Sequence, residues 1–279
     1  MDLVKLNPIK RMSPVLSPDQ TSLGRKRSDV IHLPAGPGIA LLLWASLCWA
    51  CSGPIDQNHP SQTTAGQRPA APAILADSIS WIHNKPISFS PWRKQASLAY
   101  IQRHSDQRAN SLLIEPVIIV VHWTATPDFH TAFRIFNSEK APAARAKLYA
   151  AGLVNVSIHF MVDRDGSIFQ LMPENHFARH CIGLNHNSIG IENIGGPAWP
   201  LTQAQLNANI RLVQAIARAY PIEILIGHYE APQLQFTHWY REKESAYIAD
   251  KIDPGVAFMA ALRRRTGLPG IPARLEKSQ

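Results

Sequence analysis

The longest unbroken run of β-branched residues in this chain is Val117-Ile-Ile-Val-Val121. A run apolar on both faces predicts a strand buried on both sides. Ser157–Val162 and Ser167–Leu171 flank Asp163-Arg-Asp-Gly166 and predict a hairpin that turns at Asp-Gly. Ser188–Ile194 alternates isoleucine with small or polar residues, so one face is buried and the other open. Ile222–Ile226 predicts a further strand. Thr202-Gln-Ala-Gln205 has capping-box spacing, and Leu206, Ile210, Val213 and Ala217 then share one face of a helix that Pro221 ends. Ser90-Pro91 supplies an N-cap and a first helical residue, with Leu98 and Ile101 as the apolar face that follows. Asp253-Pro254 offers the same pair for a last helix through Arg265. Strands and helices alternate, which predicts an α/β fold: a single domain with a central mixed β-sheet flanked by helices.

Upstream of these elements the pattern changes. Residues 1–37 are polar with a basic cluster at Arg25-Lys26-Arg27, and Gly38–Ala50 is then uncharged and apolar. That run is shorter than the roughly 20 residues of a membrane-spanning helix. A basic region, a short apolar run and a small residue before Cys51 resemble a bacterial lipoprotein signal, in which the cysteine is lipidated. A simple cleaved signal and a short uncleaved anchor are the alternatives. With Cys51 acylated, Cys181 is the lone thiol of the mature chain and no internal disulfide can form. Residues 51–78 carry four prolines among Ser, Gln, Thr and Ala, the composition of a flexible linker. The expected organisation is therefore 1–50 extension and signal, 51–78 linker, 79–110 a helical segment preceding the domain, 111–265 the folded catalytic domain, and 266–279 a disordered tail.

Composition narrows the function classes. Of 279 residues, 46% are hydrophobic and 17% charged, the balance of a folded chain. The formal charge of +8 raises nucleic acid as a partner, but Lys and Arg are scattered. Neither zinc-finger spacing nor Arg/Gly/aromatic interleaving is present, so no nucleic-acid partner is expected. A basic surface suits an anionic envelope polymer or membrane equally well.

Three residues stand at the ends of predicted elements. His122 follows the strand 117–121, His228 follows 222–226 with Gly227 between, and Asp253 is placed to cap the last helix. Two imidazoles and a carboxylate suit Zn²⁺ and leave a fourth tetrahedral position open. The spacing alone, with 106 positions between the histidines, identifies no site. The surrounding motifs are more specific. Val120-Val-His122-Trp-Thr-Ala125, Ser157-Ile-His-Phe-Met-Val-Asp163-Arg-Asp-Gly166, Ser188-Ile-Gly-Ile-Glu192, Gly227-His228-Tyr-Glu230 and Lys251-Ile-Asp253-Pro-Gly255 occur in this order. Together they resemble the zinc-dependent N-acetylmuramoyl-L-alanine amidase family, the type related to peptidoglycan-recognition proteins, over roughly 115–265.

The resemblance implies that fold, Zn²⁺ as cofactor, and His122, His228 and Asp253 as its ligands. It implies assisting roles for Glu192 and Lys251, and substrate contacts at His180 and Trp123. The implied reaction cleaves the amide between the lactyl group of N-acetylmuramic acid and L-Ala in peptidoglycan or muropeptides. A non-catalytic peptidoglycan-binding protein of the same fold is the alternative. With the signal region, this places the protein in the cell envelope: periplasmic, outer-membrane-anchored through Cys51, and monomeric.

The residue chemistry accords with those roles. Glu192 lies on the strand face opposite Ile189 and Ile191, beside the space left at Gly190, where a carboxylate can accept a proton from an attacking water. Lys251 and Asp253 are two apart and point the same way if extended, so an ammonium there can face a developing oxyanion. Cys181 adjoins His180, but neighbours on a strand face opposite sides, which excludes a thiol–imidazole pair. His159 reads as a core or supporting histidine. Asn185 and His186 carry no assignable role. The 25-position interval from His228 to Asp253 contains Phe236-Thr-His-Trp-Tyr240 and predicts a loop or lid whose His238, Trp239 and Tyr240 stack on sugar rings or anchor the loop. His238 is also a rival metal ligand without a strand-end setting.

Overall fold

The computed structural model describes Leu75 and residues 79–273. The expectations placed on residues 1–74, including the signal and acylated Cys51, lie outside the described residues. Six strands form one mixed sheet in the order β1-β4-β3-β5-β2-β6. They are β1 (Ile82–Asn84), β2 (Ile118–Trp123), β3 (Phe160–Val162), β4 (Ile168–Gln170), β5 (Ser188–Asn193) and β6 (Ile224–Gly227). All pairings are parallel except β3–β4, the hairpin expected at the Asp-Gly turn, where Gly166 takes φ 91°. The helices are α1 (Pro91–His104), α2 (Phe129–Asn137), α3 (Ala146–Ala150), α4 (Gln203–Ala219) and α5 (Val256–Thr266).

Alternation along the strands divides the sheet into two faces. Ile119, Val121, Ile189, Ile191 and Leu225 meet Leu212, Val213 and Ile216 of α4 and Met259 and Leu262 of α5 in the main core. Ile118, Val120, Ile224 and Ile226 face the other way, against Cys181, Leu184, Leu234 and Trp239. The capping box at α4 forms as predicted: Thr202 Oγ1 accepts from Gln205 N at 3.1 Å, and Gln205 Oε1 accepts from Thr202 N at 2.9 Å. Gln205 Nε2 also donates to the Val162 and Ile194 carbonyls, so the helix start satisfies two strand ends.

Several expectations need correction. Residues 79–110 do not precede the domain but belong to it, because β1 pairs with β4. The buried face of α1 is not simply apolar: Arg93, Ser97, Tyr100 and His104 join Ile101, while Leu98 is half-buried. Arg93 is tolerated inside because it donates to the carbonyls of Ser88, Phe136 and Val156. Asp253 does not cap α5, whose N-cap is Gly255, because its carboxylate turns toward two histidines. The chain beyond Arg265 is not a tail from 266 onward, since Leu225 N donates to Pro269 O at 2.8 Å. Leu75, assigned to the linker, is buried and donates its N–H to Glu174 Oε1.

Candidate active site

The C-terminal ends of parallel β2, β5 and β6 converge on one cleft of about 670 Å³. Ligand sites of α/β sheets form at such ends because the chain leaves each strand there for a loop. β2 runs two residues further than predicted, so His122 lies inside the strand, directly opposite Glu192 of β5 in register. Both side chains leave the face away from α4. Asn193 Nδ2 donates to the His122 carbonyl, and Asn209 of α4 donates to Asn193 Oδ1 at 2.7 Å, so a buried amide pair ties the strand end to the helix. His228 follows β6 at once, as the first residue of a 3-10 segment (His228–Leu234).

Three atoms meet at a point. His122 Nδ1 lies 2.9 Å from His228 Nδ1, and Asp253 Oδ2 lies 3.2 Å from each. All three residues are buried. Two imidazole nitrogens this close share at most one proton, so lone pairs are left converging on a common centre. Ligand bonds of about 2.0–2.1 Å at tetrahedral angles separate donor atoms by about 3.3 Å, near the spacing seen. The set fits a small divalent cation. Burial, and then the neighbouring His228, lower the His122 pKa to about 4. Burial works against ionised Asp253, but the two imidazoles beside it prevail and hold it well below the usual carboxylate range. Both groups thus take the unprotonated forms a metal requires.

Behind the cluster stands His180. With His122 Nδ1 turned to the centre, its Nε2–H donates to His180 Nδ1 at 3.1 Å, and His180 Nε2 faces the Ser188 carbonyl and hydroxyl. A Cβ on Gly190 would lie 2.8 Å from His180 Nδ1 and 2.4 Å from Ile158 Cδ1, so the empty position beside Glu192 is filled by these side chains. Although His180 borders the cleft, its nitrogens are engaged by the protein rather than offered to a ligand. Asn185 Oδ1 accepts from the backbone of His180 and Cys181 and fixes this corner. His159 is fully buried, accepting from Gly190 N and facing the His176 carbonyl. Burial raises the Cys181 thiol far above its usual range, which removes it as a nucleophile.

Glu192 and Lys251 both line the cleft, as does half-buried Trp123. Burial, with Asp253 adding and Lys251 opposing, raises the Glu192 pKa well above the ordinary value, and its Oε2 has no hydrogen-bond partner. A buried, unpaired carboxylate oxygen is costly unless the site uses it. The aromatic segment before Lys251 anchors its loop and does not enter the cleft. Trp239 is buried with Nε1 donating to Glu223 Oε2, and Tyr240 packs over Gly183, where a Cβ would clash at 2.2 Å. His238 is exposed against Trp239 and takes no part in the cluster of His122, His228 and Asp253.

Sequence reasoning missed the rest of the cleft lining. Arg145, Lys147, Arg179 and Tyr247 border it too. Arg179 is buried, with NH1 and NH2 donating to the carbonyls of Gly152, Val154 and Leu148 and to Tyr247 Oη. Its position beside His180 in the sequence was the one available signal.

The sequence is similar to that of known proteins. Residues 114–256, just over half the chain, match the family model described as N-acetylmuramoyl-L-alanine amidase. The endolysin of Escherichia phage T7 is 28% identical over 104 residues, covering 33% of this chain and 69% of the endolysin. Among solved structures, the amidase LysC from Clostridium intestinale shares 19% identity, covering 67% of this chain and 97% of LysC, with TM-score 0.42. A structure of AmpD shares 22%, covering 67% and 95%, also with TM-score 0.42. With that match spanning His122, Glu192, His228, Lys251 and Asp253, the chain belongs to the N-acetylmuramoyl-L-alanine amidase family.

Proposed function

We propose that this protein is a Zn²⁺-dependent hydrolase that cleaves the amide between N-acetylmuramic acid and L-Ala in peptidoglycan or muropeptides. One observation carries the reading: His122 Nδ1, His228 Nδ1 and Asp253 Oδ2 converge within 3.2 Å in the same cleft as the unpartnered Glu192 Oε2. A Zn²⁺ held by those three atoms would polarise the scissile carbonyl and bring a water's pKa down to about 7. Glu192 takes the proton of the attacking water and returns it to the departing L-Ala nitrogen; its raised pKa suits a group that must both gain and lose a proton. Lys251, at the cleft mouth, places an ammonium where the carbonyl oxygen becomes negative. His180 keeps His122 in the tautomer that offers Nδ1 inward. Trp123 supplies an apolar wall for the sugar or its lactyl arm.

In this reading the protein acts as a monomer in the cell envelope, tethered through Cys51, and serves wall turnover or recycling. The test is release of free stem peptide from purified muropeptides, with and without chelator and with zinc restored. Chelator-sensitive cleavage at the lactyl–L-Ala bond supports the proposal. Binding without cleavage while zinc is present would replace it with a recognition role.

A further inference from the structure

The connection from Tyr240 to Asp253 forms one wall of the cleft, with Tyr247 and Lys251 facing in. At its far end it is fixed by Asp253, whose carbonyl accepts from Tyr229 N at 3.2 Å. Tyr247 Oη accepts from Arg179 NH2, but from Ile248 to Ile252 no side chain makes a hydrogen bond among the described residues, so the placement of Lys251 depends on what secures the near end of the connection, up to Tyr247. That end is held by α1, which lies entirely outside the family-matched segment.

The grip centres on His104, the last residue of α1. Its Nδ1 faces Glu242 Oε1 at 2.8 Å and its Nε2 faces the Ala151 carbonyl at 2.6 Å. Both partners are oxygens of other segments, so the one ring bridges two points of the chain. The His104 and Glu242 side chains are each 2% exposed, which makes this a buried contact rather than a surface one. One ring thereby joins two segments that line the cleft: Glu242 belongs to the Lys251-bearing connection, and Ala151 follows α3, whose Lys147 and Leu148 line it too. Neighbouring contacts repeat the pattern. Arg103 pairs with Glu244 and also donates to the Ala150 carbonyl, and Lys243 N donates to the His104 carbonyl. The His104 ring stacks on Tyr100 at 4.2 Å, and the Arg179 guanidinium covers that tyrosine at 4.4 Å, extending the stack to the cleft lining.

We propose that His104 is a positioning residue: by clasping Glu242 and the Ala151 carbonyl at once, it fixes the connection that holds Lys251 over the metal cluster. The clasp is independent of the hydrolase reading, whereas its effect on turnover rests on it. The test compares His104→Ala, Lys251→Ala and the double variant of the full protein, reading zinc content, amide hydrogen exchange and muropeptide kinetics. In His104→Ala, zinc content is unchanged and exchange accelerates at least about tenfold in residues 241–251 only. Its kcat falls about tenfold, and the loss does not add to that of Lys251→Ala. Glu242→Gln, which keeps an acceptor but removes the charge, moves the same readouts less far and serves if His104→Ala does not fold. Unaltered exchange in 241–251, or fully additive kcat losses, overturns the clasp. Faster exchange confined to that segment in a protein inactive toward muropeptides sustains the clasp and overturns the amidase reading instead.

Discussion

The cleft is built from two kinds of support. His122 and Glu192 project from β2 and β5, paired in register at the centre of the sheet. Lys251 and Asp253 project from a connection that contains no strand and no α-helix. The strand-borne pair owes its placement to backbone ladders and to a core that excludes water from Ile119, Ile189 and Ile191. The connection-borne pair owes its placement to scattered contacts in place of a ladder: the His104–Glu242 clasp at one end, and at the other the histidine cluster with the Tyr229 N–H on the Asp253 carbonyl. A catalytic group can therefore be as well ordered on a connection as on a strand, provided buried polar partners replace the ladder.

This contrast can be broken from either side. The largest effect is expected where the two halves meet. His228→Ala removes one of the three proposed metal donors and leaves Asp253 with only His122 of its two histidine partners, so bound zinc measured by elemental analysis is expected to drop out and hydrolysis to fall about 10⁴-fold. Glu192→Gln acts on the strand half alone: zinc is retained, while kcat drops about 10³-fold in muropeptide assays. Lys251→Ala acts on the connection half, with zinc retained and kcat reduced about 10²-fold. If it cost as much as Glu192→Gln, the assignment of the proton carrier to the strand half would fail. Ile191→Ala digs under the platform, since its side chain is fully buried. A cost of about 4 kcal/mol in denaturant unfolding is expected.

The smallest effect is a pH dependence of stability. Burial keeps the His159 ring neutral by lowering its pKa to about 4, against 6.5 for the free side chain. The unfolded chain takes up that proton first as pH falls, so the stabilisation is complete above about pH 6.5 and is lost progressively down to about pH 4. For this one ring the loss is at most about 3 kcal/mol. His159→Phe should flatten the slope of unfolding free energy between those pH values, as followed by urea titration, and an unchanged slope would refute the assignment.

How much of this was legible in the sequence follows the same division. β2, β5 and α4 announce themselves through period and capping, because their side chains answer to one repetitive geometry. His122, Glu192 and His228 could be placed at strand ends for that reason. Asp253 was located, yet it was read as a helix cap, since Asp before Pro carries a local meaning that a tertiary partner overrides. His180 was expected at the substrate; it borders the cleft with its nitrogens facing His122 and Ser188, and nothing local shows that Gly190 opens a berth for it. The clasp was invisible for a related reason: His104 and Glu242 are 138 positions apart, and each alone resembles an ordinary surface charge.

The two ends of the described chain have a further consequence for handling this molecule. β1 lies along β4, and Pro269 takes the Leu225 N–H of β6, so the flanks of the sheet are covered by residues on either side of the family-matched segment. A protein trimmed to 114–256 would keep His122, His228 and Asp253 while laying bare backbone donors and acceptors along β4 and β6. Such open margins invite strand-to-strand association between copies. Recombinant yield and colloidal solubility are thus expected to depend on β1 and the stretch around Pro269, neither of which lines the cleft, and trimming limits chosen by sequence similarity alone would discard both.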